Sequence, residues 1–455
     1  MIGSIARRLA LLRRSQLETI GLALGIVLLV VSTLPRVDSG ADGQLRYWDT
    51  DRIARGLLPN ARYSSLQPLL ALPLYWLGTF FTTPAQTVAY FNLIAFLLLL
   101  AVIWRSFSAD IARATILLLL SASMFPANLQ GFFGEPLAAL LVVLGFVLLE
   151  RHIWWAALAF AAGVGVVPAT IPAFALVAAY LAWTKKRWWL LLLVAGPAAV
   201  HLTDNFVKYH SFVSSYFYDK GDVTIMPYSG IPGFSYPLVL GLLSVLFSYG
   251  KGLIFFIPGL LLAFSPAVAR VPAEYRTTLR ALLLFALGTI LVYSRWWAWY
   301  GGTVWGPRFF LTACVPACLM LAFALRYEGR RSAYEAAALT AILALATWGC
   351  IEGFVYGVYD SHLCYDNHFN LEMLCWYAPE WSPLWRWIVV GFGKAQPLRL
   401  AYAGWATLCF AYFAIGLLLS ATPYRLAIAL DVRLKKEFPA SDAPLAAQPS
   451  EPSGA

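Results

Sequence analysis

Charged side chains are scarce in this chain of 455 residues. Asp, Glu, Lys and Arg together make up 12% of the sequence, while 60% is hydrophobic, against about 25% charged residues in an ordinary soluble domain. This deficit excludes a conventional water-soluble enzyme. The 6 cysteines are too few for a disulfide scaffold. Lys and Arg number 33 against 23 Asp and Glu, but they are scattered between apolar runs, which argues against nucleic-acid binding.

Long apolar runs bounded by charged residues predict an all-α, polytopic membrane protein. A segment that crosses hydrocarbon has to be a helix or part of a closed barrel, and the alternating segments of about ten residues that are typical of a barrel do not occur. The opening segment resembles a signal peptide without a cleavage pattern, and we interpret it as a retained first span. The twelve predicted spans are 17–35, 87–104, 111–126, 135–150, 154–167, 169–184, 188–203, 252–269, 280–294, 308–325, 333–356 and 400–420.

The basic residues predict the orientation in the plasma membrane. A cytoplasmic amino terminus places 20 of the 33 Lys and Arg in cytoplasmic segments, and both termini are then cytoplasmic. The 15-residue apolar segments 67–81 and 235–249 do not fit this pattern as spans, so we expect helices at the outer interface. Residues 1–425 are predicted to form one integral-membrane domain, and 426–455 a largely disordered cytoplasmic tail.

The first outer loop, predicted at 36–86, is rich in carboxylates. It contains four Asp within 14 residues, including Asp42, Asp49 and Asp51. Carboxylates at a membrane surface cost desolvation energy unless they are paired, hydrated or functional. Neighbouring arginines such as Arg46 and Arg62 can neutralise them, so a solvated, salt-bridged loop is one alternative. Asp49 and Asp51 form an Asp-x-Asp pair of the kind that holds a divalent metal together with a phosphate.

Four stretches of sequence resemble one family in their order and spacing. The resemblance is to the C-type glycosyltransferases that use polyprenyl-phosphate sugars, which include the bacterial lipid A aminoarabinose transferase and protein mannosyltransferases. It extends from about residue 38 to about residue 310. The stretches are GADGQLRY with Asp42, YSSLQPLLALPLYWLG beginning at Tyr63, FFGEPLAALL with Glu135, and the pair SYGKGLIFFIP with Lys251 and WWAWYGGTVWGPRFF with Arg308.

The resemblance implies a transfer reaction at the outer, extracytoplasmic face. A monosaccharide would move from a polyprenyl-phosphate donor in the bilayer to a lipid or glycan acceptor, with inversion, and Asp42 would serve as the general base. By position Asp42 matches the family's base better than Asp49 or Asp51. The sequence departs from the aminoarabinose-type pattern at 64–68, where SSLQP replaces Lys-Pro-Pro. A phosphate contact then has to come from Arg62 or from elsewhere.

Stabilising a departing phosphate requires cations at the outer interface. Lys251 lies between two glycines, Arg308 follows Gly-Pro, and Arg295 precedes a Trp-rich loop. Each is a candidate phosphate ligand, and each is alternatively an interfacial anchor whose charge extends toward water. Glu135 either complements the dipole of its helix or provides a second carboxylate that orients the acceptor or an arginine.

The later outer loops add aromatic residues and cysteines. Sugar rings stack on Trp and Tyr, so Trp299 and Tyr300, together with Trp296, Trp297 and Trp305, are candidates for a sugar platform, and an anchoring aromatic belt is the alternative. A disulfide between Cys364 and Cys375 is the favoured interpretation of the last outer loop, ahead of free thiols or a metal site.

Two other functional classes compete with a glycosyltransferase. A secondary transporter or lipid flippase also has about twelve spans, but it usually shows two similar halves, and no internal repeat is evident here. The second alternative is an envelope polymerase or ligase that uses diphosphate-linked oligosaccharides. The concentration of Asp in the first outer loop argues against it.

Overall fold

The computed structural model describes residues 13–36, 42–213, 225–231, 233–302, 304–329, 331–356, 372–385, 388 and 396–421. Within these ranges the chain is helical and contains no strand, which confirms the all-α class. The predicted tail from 426 onward lies outside them. The α-helices are α1 Arg14–Thr33, α2 Asp42–Ala54, α3 Leu66–Leu70, α4 Leu72–Phe81, α5 Pro84–Ala89, α6 Phe91–Ser106, α7 Ala109–Ser121, α8 Gly134–Leu148, α9 Ile153–Val166, α10 Ile171–Lys185, α11 Ala195–Tyr209, α12 Leu238–Phe247, α13 Leu253–Phe256, α14 Ala273–Tyr293, α15 Leu311–Leu325, α16 Ala333–Tyr356, α17 Glu372–Tyr377 and α18 Pro397–Ala421.

The predicted count of twelve spans is not confirmed. In the described ranges seven helices are long and apolar enough to cross a membrane, or up to eight if one bent pair is a single span. Helices α7 and α8 have 13 and 15 residues, about 20 to 22 Å at 1.5 Å per residue, which is less than the ~30 Å hydrocarbon core. The segment predicted at 252–269 is divided by Pro258 and Pro266 into α13 and two short 3₁₀-helices. Proline lacks the N–H that continues a helix.

The two segments that the sequence assigns to the interface form short helices. The first contains α3 and α4 and the second contains α12. Helices α4 and α12 have 10 residues each, or about 15 Å, too short to cross a bilayer. Their position at the outer interface stays a prediction.

Pro168 separates α9 from the following helical segment. The bent pair Ile153–Val166 and Pro168–Lys185 turns by 117° at this point. Val167, which precedes the proline, has φ −126° and ψ 76°, outside the helical region, as expected for a residue before proline. Helix α9 therefore ends at Val166, and the chain changes direction there.

Helix α15 is the centre of the bundle. In the span Arg308–Leu325, 83% of the residues are buried, and α15 packs against α7, α8 and α14. Its 15 residues extend about 22 Å, so its two ends lie at opposite ends of the bundle. Arg308 lies just before the amino-terminal end, where the candidate site is found.

Candidate active site

A polar cavity of ≈210 Å³ lies near the start of α15. Its walls come from the start of α2, the start of α8, the break after α9 and the Trp-rich segment that follows α14. Residues that are far apart in the sequence therefore meet, as the sequence motifs predicted. The ionisable residues that line it are Asp42, Arg46, Arg62, Tyr63, Glu135, Tyr293, Tyr300 and Arg308.

Asp42 and Arg308 form an ion pair in this cavity. The guanidinium Nη2 of Arg308 donates to Oδ2 of Asp42, and its Nε lies 3.7 Å from Oε1 of Glu135. Arg308 also lies over the ring of Phe133, 4.7 Å from its centroid. One arginine thus contacts both carboxylates of the cavity, and each carboxylate lies in the first turn of its helix.

The ion pair determines the protonation of Asp42. Burial raises its pKa, but the charge of Arg308 and hydrogen bonds from Tyr63 and Arg308 outweigh burial and lower the pKa to about 2. The pKa of Tyr63 is raised, first by burial and then by the negative charge of Asp42. Tyr63 therefore donates a hydrogen bond to an Asp42 carboxylate in the observed arrangement.

Arg46 is a cation of the cavity that the sequence analysis gives only as a possible partner of the loop carboxylates, not as a substrate ligand. It is 5% exposed and lies over the ring of Tyr63 at 4.5 Å. Its Nε and Nη1 atoms are buried and have no hydrogen-bond partner in the described ranges of the chain. The available signal was the spacing of four residues between Asp42 and Arg46, which places both on one face of a helix.

Asp49 and Asp51 point in different directions. Asp49 is buried and accepts hydrogen bonds from the backbone N–H groups of Asn60 at 2.8 Å and Ala61 at 3.1 Å. Asp51 accepts from Arg55 Nη2 at 2.9 Å and from the hydroxyl of Tyr75 at 2.6 Å. Residues that are two positions apart in a helix face different sides of it, so Asp49 and Asp51 do not form a common metal site.

No group of three or more potential metal-binding side chains converges within the part of the chain that the structure describes. Asp49 instead fixes the segment that carries Arg62 and Tyr63. Lys208 contributes to the same support, because its Nζ contacts the carbonyl of Tyr63 and lies 3.0 Å from Asp204 Oδ2.

Two buried amides fix the segment before Glu135. The side-chain amide of Gln67 donates to the carbonyl of Phe133 at 2.8 Å and to Asn92 Oδ1 at 3.1 Å. Asn92 donates to the same carbonyl at 2.9 Å and to that of Gly131 at 2.5 Å. Both amides are fully buried. They hold the start of α8 so that Glu135 faces the cavity.

Lys251 does not line the cavity, contrary to its predicted role as a phosphate ligand. It is 1% exposed, and its Nζ donates to the carbonyls of Gly302 and Gly306 at 2.9 Å and to that of Val304. Burial first, and the charge of Arg308 second, lower its pKa well below the ordinary value. Because three carbonyls already bind the amine, Lys251 supports the turn that leads to Arg308.

This turn depends on glycine. Gly302 and Gly306 have φ values of 78° and 63°, which residues with a Cβ rarely adopt. Their carbonyls consequently point inward to Lys251. The glycines on either side of Lys251 in the sequence indicate that backbone lies close to this lysine. In the structure that backbone is the protein's own turn, which contains Gly302 and Gly306.

Arg295 and Trp299 also lie outside the polar cavity. Arg295 Nη2 donates to the carbonyl of Phe234 at 3.0 Å, at the protein surface. Trp299 is fully buried in the core. Trp296, Trp297 and Tyr300 do line the cavity.

Trp297 is the aromatic residue best placed to bind a polar ligand. It lines the cavity, and its Nε1–H is buried without a hydrogen-bond partner. Tyr300 forms the adjacent wall, with ring centroids 6.4 Å from Trp297. An aromatic face with a free N–H donor suits a sugar ring.

An apolar groove of ≈760 Å³ adjoins the polar cavity. It shares Ala169 and Phe234 with the cavity. Its other walls are mainly apolar and come from the break before α10, the middle of α11 and the residues after it, and the end of α14, where Arg295 adds one charge. The cavity and the groove therefore adjoin at these two shared residues.

The predicted disulfide is only partly within the described residues. Cys375 is buried and disulfide-bonded. Cys364, its predicted partner, lies outside the described residues, so the pairing stays a prediction. Cys314, Cys318, Cys350 and Cys409 are free.

Comparisons with known proteins give a limited result. No known family profile and no curated protein matches the chain. Among solved structures it is similar to ArnT from Cupriavidus metallidurans bound to undecaprenyl phosphate, with 17% identity, a TM-score of 0.47, and coverage of 92% of this chain and 80% of that chain. The apo state of the same protein gives 16% identity, a TM-score of 0.47, and coverage of 91% and 78%.

Proposed function

We propose that this protein is an integral-membrane glycosyltransferase of the C type. It transfers a monosaccharide from a polyprenyl-phosphate donor to a lipid or glycan acceptor at the outer face of the plasma membrane. The observation that carries the proposal is the single cavity that Asp42, Arg46, Glu135 and Arg308 share, beside aromatic rings and an apolar groove. The arginines suit the phosphate of the donor, the aromatic rings suit its sugar, and the apolar groove suits its isoprenoid chain.

The charges of the cavity favour an anionic substrate. Three arginines and two carboxylates line it, which leaves one net positive charge. The N–H groups of Arg46 that have no partner are available to phosphate oxygens. Negative charge grows on the phosphate as it leaves the sugar, so Arg46 and Arg308 stabilise the transition state more than the ground state.

Donor binding would also activate Asp42. With a pKa of about 2, Asp42 paired to Arg308 is a weak base. A donor phosphate that pairs with Arg308 in place of Asp42 removes the main cause of the low pKa of Asp42. Burial then raises the pKa of Asp42. Asp42 becomes a stronger base when the donor is in place.

The transfer would occur in one displacement. The acceptor hydroxyl oxygen attacks the anomeric carbon, its proton goes to the Asp42 carboxylate, and the bond between the anomeric carbon and the phosphate oxygen breaks. Polyprenyl phosphate leaves with the electron pair of that bond, and the anomeric centre inverts. Glu135, with its Oε2 buried and unpartnered, orients the acceptor hydroxyl.

A transfer assay with purified protein in vesicles tests this function. Polyprenyl-phosphate donors with different radiolabelled sugars are supplied, and release of polyprenyl phosphate is followed. Asp42→Asn should reduce turnover by about 10²- to 10⁴-fold, the usual contribution of a general base. Asp51→Asn, on the same helix but outside the cavity, should retain turnover. Normal turnover by Asp42→Asn would remove the base assignment.

A transporter or lipid flippase is the second candidate. The 117° break between α9 and the segment from Pro168 favours it, because broken helices line the binding sites of transporters. The same vesicle assay separates the two functions. A transporter moves the labelled donor across the bilayer intact, whereas a transferase converts it to polyprenyl phosphate.

A further inference from the structure

A second polar pocket lies at the end of the bundle opposite the candidate active site. It has a volume of ≈320 Å³ and forms where α1 begins, α15 ends and α18 approaches its end. Helix α15, of 15 residues or about 22 Å, separates it from Arg308. Its charged lining residues are three arginines and one carboxylate, Arg14, Arg326, Arg331 and Glu328, and Tyr412, Gly416 and Ser420 complete the part of the wall that matters here.

One buried carboxylate beside the pocket accepts hydrogen bonds from several arginines. Glu18 is 3% exposed, and it accepts from Arg14 Nε at 3.2 Å, Arg113 Nε at 3.2 Å and Arg326 Nη2 at 2.7 Å. Asp110 adds a second carboxylate, 3.1 Å from Arg326 Nε. Positive charge exceeds negative charge around these contacts.

Arg331 has no carboxylate partner within 4 Å among the described residues. It is 8% exposed. Its guanidinium donates to neutral oxygens, Ser420 Oγ and the carbonyl of Tyr327, each at 2.9 Å, and to the carbonyl of Ala324. Its Nε is buried without a hydrogen-bond partner. Glu335 acts on Arg331 only through its charge, and Glu328 lines the pocket, but neither forms an ion pair with Arg331 in the described part of the chain. A buried cation without a paired anion is costly, so an anion in the pocket would stabilise it.

The pocket is also open toward lipid. No heavy atom lies within 4 Å of a Cβ placed on Gly416. The same stretch of α18 exposes Ile415 by 55%, Leu418 by 61% and Leu419 by 58%. A ligand in the pocket therefore has cations on one side and an apolar helix surface on the other.

We propose that this pocket binds the phosphate headgroup of an anionic phospholipid in the leaflet opposite the candidate active site. Arg331 and Arg14 bind the phosphate, and an acyl chain lies along α18 beside Gly416. Basic pockets between membrane helices bind anionic headgroups in this way. The site is independent of the proposed transferase activity.

Thermal unfolding of the full-length protein in detergent, followed by tryptophan fluorescence, tests the proposal. Phosphatidylglycerol should raise the midpoint for the wild type, whereas phosphatidylcholine and inorganic phosphate should not. Gly416→Leu fills the open space and should abolish the rise. Gly404→Leu is the matched control, because Gly404 lies on the same helix, also has nothing within 4 Å of its Cβ, and does not line the pocket.

A second pair of variants tests the charge. Arg14→Gln should raise the phosphatidylglycerol concentration needed for the same rise in midpoint by about tenfold, as expected for one lost charge-assisted contact. Arg105→Gln should leave this concentration unchanged, because Arg105 does not line the pocket. Equal effects of the two phospholipids on the wild type, or a full response by Gly416→Leu and Arg14→Gln, would overturn the proposal. A response to inorganic phosphate alone would overturn the lipid assignment.

Discussion

Neutralising Asp42 should destabilise the protein at neutral pH, because Arg308 would stay buried with Glu135, 3.7 Å away, as its remaining carboxylate. The pairing lowers the pKa of Asp42 from 3.8 to about 2, even though burial acts in the opposite direction. At 1.36 kcal/mol per pKa unit, this difference corresponds to about 2 kcal/mol. Asp42→Asn should therefore lower the free energy of unfolding at pH 7 by about this amount.

The pH dependence of this loss follows from the direction of the shift. The pKa of Asp42 is lower in the folded state, so its stabilisation is present above about pH 4 and disappears as the pH falls through about 2. The unfolding curves of the wild type and of Asp42→Asn in detergent should be separated at pH 7 and should approach each other as the pH falls from about 4 to about 2. Asp51→Asn is the control, since Asp51 pairs with the exposed Arg55.

A double-mutant cycle with Arg308→Gln completes the test. The double variant should be more stable than the sum of the single effects predicts, by about 2 kcal/mol, because each single variant leaves a buried charge without its main partner. Single effects that add within about 0.5 kcal/mol would show that the two side chains do not interact in the folded protein. That result would refute the reasoning.

Other residues around the cavity give further measurable outcomes. Trp297→Phe removes an N–H that has no hydrogen-bond partner among the described residues and should raise the KM for the donor several-fold at unchanged kcat, whereas Trp299→Phe should leave KM unchanged. Lys251→Met leaves three carbonyls without a donor and should cost about 2 to 4 kcal/mol in detergent unfolding. Glu135→Gln should lower kcat and leave the affinity for polyprenyl phosphate near the wild-type value. An unchanged kcat would remove Glu135 from the acceptor site.

Part of the site was predictable because helix ends meet at a common surface. Asp42, Glu135 and Arg308 each lie at or near the start of a helix, and their motifs were recognisable in the sequence. The expectation that they share a cavity rested on the resemblance of these motifs to one family. It did not include the ion pair between Asp42 and Arg308.

The remaining residues depend on packing that the sequence does not reveal. Lys251 and Trp299 belong to motifs typical of ligand binding, yet both are buried in contact with the protein itself. Arg46 is named only as a possible partner of the loop carboxylates, because the sequence does not show that it faces the same cavity as Arg308. The count of twelve spans is not confirmed in the described residues, and one reason is that apolar composition alone does not show where prolines such as Pro258 divide a run.

Binding of polyprenyl phosphate tests the central claim most directly. Its affinity for the purified protein is compared with that of polyprenol, which has the same chain without the phosphate. The wild type should bind polyprenyl phosphate at least tenfold more tightly, and Arg46→Gln should remove most of this preference while Arg105→Gln retains it. Equal affinity for the two lipids, or an unchanged preference in Arg46→Gln, would contradict the assignment of this cavity to a lipid-linked phosphate.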